Sequence, residues 1–130
     1  LTSLNAGCTK VSKLNLANNK KLTSLSCYQT KLNSLNLKKN TKLKYLSFYG
    51  SKIKKLNLSK QKKLTLSFET KKGKTISLKN YIGSGYKAVN QSDALSYSKK
   101  TGKIKVKKKG YSRLTLKKGS RVFYVEIYAK

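Results

Sequence analysis

Residues 1–68 repeat their apolar positions at one constant interval, the one that separates Leu4 from Leu25 and Leu25 from Leu46. A second register at the same interval holds Leu14, Leu35 and Leu56. A third holds Val11, Leu32 and Ile53, and a fourth Leu22, Leu43 and Leu64. Within each period the pattern L-x-x-L-x-L occurs twice, as "LTSLSC" and "LNSLNL", then as "LKYLSF" and "IKKLNL". A period of this length marks a solenoid, because one turn cannot bury its apolar face alone and must share a core with its neighbours. The x-L-x-L part alternates as a strand does. Two short parallel strands per turn are therefore predicted, on opposite sides of a flattened coil. Leu25, Cys27, Leu46 and Phe48 should point inward on one side. Leu14, Leu16, Leu35, Leu37, Leu56 and Leu58 should point inward on the other. Bends fall at "YQT", "YGS", "ANN" and "KKN". Asn19, Asn40 and Gln61 share one bend slot, and Thr9, Thr30 and Ser51 the other. Amides and hydroxyls there can satisfy backbone groups that turn away from the ladder.

At "LTLSFE" the pattern falls one position short and the repeat stops. After "ETKKGK" the chain reads as short strands between glycine-bearing turns. The candidates are "KTISLK", a segment from Tyr86 to Val89, "ALSYS", "KIKVK", "RLTLK" and "RVFYVEIYA". Phe123, Val125 and Ile127 should share one face. The expected fold class is mainly β: a solenoid of about three turns over residues 1–68, then a small antiparallel β-sandwich-like module over 69–130.

Charge changes the picture. The chain carries 32 Lys and Arg against three acids, a formal net charge of +29. The acids are Glu69, Asp93 and Glu126, and only Arg113 and Arg121 are arginine. Both halves are strongly basic, so the charge is no appended tail. Such a charge strains the compact state by self-repulsion and draws in any polyanion. The chain has no His and two separated Cys, which leaves almost no ligands for a zinc or transition-metal site, and no cofactor is implied. Three scattered acids offer no pair for carboxylate catalysis. No apolar run approaches the length of a membrane span, so no transmembrane segment is expected. No enzyme chemistry is indicated.

"LTSLSCYQTKLNSLNLKKNTKL" resembles a leucine-rich repeat, closest to the short internalin-like type of bacterial surface proteins, with Cys27 in that family's Cys slot. Two departures stand out. Thr9, Thr30 and Ser51 occupy the position of an expected Asn. Asn15, Asn36 and Asn57 stand where Asp is frequent, which removes charge that would balance the lysines. "SKKTGKIKVKKKGYSRLTLKKGSRVFYVEIYA" resembles the end of a bacterial immunoglobulin-like domain of the group 2 type. The resemblances imply a secreted or cell-wall-associated bacterial protein whose second half covers the end of the solenoid. Leu1 is itself a repeat leucine. The array thus opens without a cap, and a piece of a longer chain, or end-to-end assembly through that edge, is expected.

The candidate sites follow from the register. Lys10, Lys31 and Lys52 stack into one column, and Lys21, Lys42 and Lys63 into another. Adjacent strands lie ~4.8 Å apart, where two exposed unit charges repel by roughly 1 kcal/mol in water. A linear polyanion along a column would relieve that repulsion and release counterions. The same lysines also read as solvated side chains copied with the repeat. Tyr28 and Tyr49 share one outward slot, and Tyr45 lies on the same strand face. With Lys31, Lys44 and Lys52 they suggest an aromatic and basic patch suited to sugars or bases, or simple cross-strand pairing. Cys8 and Cys27 are offset by ~8 Å, long for a disulfide, and two free thiols are expected. The near absence of arginine argues against specific nucleic-acid readout. The leading expectation is a non-catalytic surface binding or adhesion module whose partners are anionic cell-wall polymers, glycans or acidic proteins. The alternatives are a structural spacer or self-assembling filament unit, and a cationic protein that binds nucleic acid or membranes.

Overall fold

The computed structural model describes residues 2–130; Leu1, and the expectation placed on it, lie outside them. The fold is mainly β, with ten strands and one short helix among the described residues. Three very short strands come first: β1 (Ser3–Asn5), β2 (Ser24–Ser26) and β3 (Tyr45–Ser47). They are parallel and paired by repeat position, Leu4 to Leu25 and Leu25 to Leu46. β4 (Lys63–Thr70) continues the stack, with Leu46 paired to Leu66. That step falls one position short of the repeat interval, so the pairing itself absorbs the lost position.

The second half supplies β5 (Thr75–Ser77), helix α1 (Lys79–Ile82), β6 (Lys87–Gln91), β7 (Leu95–Ser98) and β8 (Lys103–Val106). It closes with β9 (Gly110–Lys118) and β10 (Arg121–Ala129). β10 lies parallel to β4 along its whole length, from Val122 opposite Lys63 to Ala129 opposite Thr70. One seven-stranded mixed sheet therefore runs β1-β2-β3-β4-β10-β9-β6, and an antiparallel sheet of order β5-β8-β7 accompanies it. Each segment expected to be a strand after residue 70 contains one. Helix α1 was not foreseen.

A single apolar cluster runs from Leu16 to Ala129. Leu25, Cys27, Leu46 and Phe48 are buried as their alternation requires, and so are Phe123, Val125 and Ile127. Each such leucine removes enough apolar surface from water to contribute ~1.5–3 kcal/mol. Phe48 meets Phe68 and Tyr81 edge-on, at 5.6 and 4.8 Å between ring centres. Tyr81 comes from α1, whose Asn80 carbonyl also accepts from the Leu56 amide at 3.1 Å. The helix is thereby docked on the third turn.

One expectation is corrected. The side of the turns that carries Leu14, Leu16 and their equivalents forms no strand. Leu16, Leu37 and Leu58 are buried there, whereas Leu14, Leu35 and Leu56 are half-buried. The reason is local. Asn15, Asn36 and Asn57 each use Oδ1 to accept the amide two positions on, at 3.0–3.1 Å, which turns the backbone and breaks a ladder. Those asparagines are thus turn formers rather than mere replacements for acids. In the bend slots the side chains satisfy backbone groups at Asn40, Gln61, Thr9, Thr30 and Ser51. Asn40 Nδ2 donates to the carbonyls of Leu16 and Asn19 at 3.1 and 2.9 Å. Gln61 Nε2 does the same one turn on, to Leu37 and Asn40. Thr9 and Thr30 donate back to the Ala6 and Cys27 carbonyls.

A further repeat slot, not read from the sequence, holds Cys8, Gln29 and Gly50, one in each turn, all with positive φ of 57°, 50° and 70°. The left-handed backbone costs a non-glycine residue roughly 1–2 kcal/mol. Gly50 was the one visible hint. Both cysteines are free. Cys27 is buried, which pushes its thiol up to about 11 and leaves it an inert core side chain. Among the described residues no helix is long and apolar enough to cross a membrane.

Candidate functional site

The side chains on the outer face of the seven-stranded sheet follow from strand alternation. One row across it reads Ser24, Tyr45, Thr65, Tyr124 and Thr115. The next reads Ser26, Ser47, Ser67, Glu126 and Arg113. A third reads Glu69, Tyr128 and Tyr111, and Tyr49 joins it by donating its hydroxyl to Glu69 Oε2 at 3.0 Å. Tyr28 stacks on Tyr49 with ring centres 5.2 Å apart and planes 12° from parallel. Gly7 makes room for this arrangement, because a Cβ there would meet the Tyr28 ring at 2.4 Å. Tyr28 and Tyr49 are therefore together, as their register predicts. Tyr45 is on the same face, but four positions back along the strand, ~13 Å away between backbones, in the row that leads to Tyr124.

Two acids sit on this face and both are engaged. Glu69 is ion-paired with Lys130. That hydrogen bond, then the one from Tyr49, holds its carboxyl below the usual range. Tyr49 is pushed up to about 12, by burial first and by Glu69 next. Glu126 accepts from the Tyr111 hydroxyl, which raises that phenol's pKa. The third acid, Asp93, pairs with Lys108 at 3.1 Å, a contact that lowers its pKa.

The six column lysines are all exposed. Lys10, Lys31 and Lys52 each follow the hydroxyl-bearing bend residue, Thr9, Thr30 or Ser51. Lys42 and Lys63 differ. They line a groove of about 950 Å³ at the end of the sheet where β3, β4 and β10 begin. Lys44, Lys60 and Lys62 add to its wall, while Leu43, Leu64, Thr65 and Tyr124 also line it. Lys21 precedes the same edge one turn earlier and is not among the lining residues. Arg121 fixes the far wall: its Nη2 donates to the Leu58 carbonyl at 2.6 Å and faces that of Gln61 at 3.4 Å. This draws the β9–β10 turn, with Ser120, against residues 60–63. Lys60, Lys62 and Tyr124 escaped the sequence reading. The run "KQKK" shows the lysines, but only the β4–β10 pairing places Tyr124 beside them.

The arrangement offers cations, hydroxyls and aromatic faces. It brings together no nucleophile and base. Cys8, the one exposed thiol among the described residues, donates to Gln29 Oε1 at 3.1 Å.

No family model matches the chain, and no curated protein does. Among solved structures, it is similar to the functional domain of InlJ from Listeria monocytogenes, which includes a cysteine ladder. Identity is 21%, the TM-score is 0.48, and the match covers 100% of this chain and 34% of that one. The chain thus spans about a third of that neighbour's length. In this chain the slot that holds Cys27 is filled by Ala6 and Phe48 in the adjoining turns, so its own repeats carry no ladder.

Proposed function

We propose that this chain is a non-catalytic binding module of a secreted or cell-wall-associated bacterial protein, which holds anionic polymers or acidic partners through its exposed lysines. A leucine-rich-repeat solenoid (residues 1–68) carries the binding positions, and an immunoglobulin-like β unit (69–130) covers its end by donating β10 to the same sheet. The observation that carries the reading is where the acids are. All three are spent on contacts away from the lysine columns: Glu69 on Lys130, Asp93 on Lys108, Glu126 on Tyr111. The columns are left without an internal counter-charge, and an external polyanion supplies one with a favourable release of counterions.

The test is retention on three immobilised polymers, a wall teichoic acid, a sulfated glycan and DNA, across a salt series, with light scattering on the same sample. Retention that weakens linearly in log salt supports the reading. Passage through all three columns at low salt removes it. The structural alternative, a spacer that assembles through β1 at the sheet's end, predicts concentration-dependent mass in the scattering arm and no dependence on the lysines.

A further inference from the structure

The lysines do not all stand in equivalent places, and that inequality points to a shaped site. We infer that the groove at the start of β3, β4 and β10 takes a segment of anionic polysaccharide, with a sugar ring on Tyr124 and anionic groups on the lysine walls. The inference rests on the anionic-polymer reading above and narrows it to one place and one class of polymer.

Four features carry it. Five lysines, Lys42, Lys44, Lys60, Lys62 and Lys63, line one concavity of about 950 Å³ that contains no acid. Each charge is a flexible ammonium rather than a planar fork, which suits sulfate, carboxylate or phosphate without bidentate geometry. Leu43 and Leu64 back the groove from the core, almost wholly buried, so the half-buried Tyr124 ring is the apolar side chain it offers among the charges. A bare chain of charges would leave that surface unused, whereas a sugar ring presents an apolar face to an aromatic one. The far wall is also anchored, since Arg121 holds the β9–β10 turn to the carbonyls of the third turn. The site is thus partly formed before any ligand arrives, which lowers the ordering cost of binding.

Two triple variants remove the same charge from different places: K44Q/K62Q/K63Q in the groove and K10Q/K31Q/K52Q in the column outside it. Tyr124→Ala removes the aromatic face. Affinity is measured for heparin, a sulfated polysaccharide, and for inorganic polyphosphate, which has no sugar, from about 50 to about 300 mM salt, a range that brackets physiological strength. Melting curves of the same samples confirm that each variant folds. The groove variant should lose at least about tenfold in heparin affinity, and its log–log salt slope should fall by about 1 per lysine removed. The column variant should lose much less, because none of its three lysines lines the groove. Tyr124→Ala should weaken heparin binding by about threefold to tenfold and leave polyphosphate binding unchanged. Equal losses in the two triple variants, with the wild-type chain still retained, would overturn the groove and leave the general reading standing. Equal weakening of both polymers by Tyr124→Ala would overturn the polysaccharide assignment. Failure of the wild-type chain to bind either polymer would remove both inferences together.

Discussion

The two ends of the large sheet are held by different means. At the β1–β3 end the strands are very short, and the turns are bound by side chains reaching into the backbone of the neighbouring turn: Asn40 to Leu16 and Asn19, Gln61 to Leu37 and Asn40. At the β10–β9 end two long strands pair through their whole length, and backbone ladders do the holding. β4 belongs to both, taking β3 on one edge and β10 on the other. Regular repetition lets a thin ladder suffice, because Asn40 and Gln61 make the same contacts one turn apart. Where repetition ends, long strands take over. The chemistry divides along the same line: the groove forms where the last turn meets the first residues of β10.

The largest expected effect is at the junction's core. Phe123 is fully buried, paired across to Leu64 and Leu116, and packed edge-on against Tyr86 at 5.5 Å. Phe123→Ala should cost about 3–5 kcal/mol, read from urea denaturation as one cooperative transition shifted for both halves. Two separated transitions would show that the halves fold independently. Arg121→Ala removes the Nη2 donor from the Leu58 carbonyl and should cost about 1.5–3 kcal/mol. It should also weaken heparin binding, through loss of the groove wall. Asn40→Ala removes the side-chain donor from the Leu16 and Asn19 carbonyls, which keep the Asn19 and Leu22 amides, and losing these two hydrogen bonds should cost about 1–3 kcal/mol. Amide exchange should quicken in the first two turns while β9 and β10 stay protected. Tyr28→Ala deletes the stack on Tyr49 and should cost about 0.5–1.5 kcal/mol beyond the lost burial, measured by a double-mutant cycle with Tyr49→Ala.

The smallest effect is acid sensitivity. Glu69 and Asp93 have folded pKa values below their ordinary 4.5 and 3.8, through Lys130 and Lys108 first. Groups shifted in that sense stabilise the fold above the ordinary value and lose that contribution as pH falls through the folded one. The melting temperature should therefore drop modestly between about pH 5 and about pH 2, the range of the carboxylate titration. Glu69→Gln should flatten part of that slope. A melting temperature that rises on acidification would contradict the assignment.

How much of this was legible in the sequence differs by region, for physical reasons. A repeat meets its own copies, so the spacing of Leu4, Leu25 and Leu46 foretold both the strands and their register. The opposite side of each turn misled, because L-x-L reads as a strand while the intervening Asn is free to close an Asx turn. In the second half the strands were visible by alternation and their partners were not. Nothing local tells β10 to return across the length of the second half and lie parallel to β4. The site divides in the same way: Lys42 and Lys63 were visible as copies of one slot, whereas Lys60, Lys62 and Tyr124 became neighbours only through that pairing. The positive-φ slot stayed hidden because Cys8 and Gln29 fill it where a glycine would have announced it.

The proposed polyanion site in the groove is the claim on which the rest depends. The most direct measurement is backbone amide exchange of the full chain with and without saturating heparin. Slowed exchange concentrated at residues 42–45, 60–65 and 120–124 is the predicted result. Protection centred instead on Lys10, Lys31 and Lys52, or on the lysine-rich segment 103–109, would contradict it.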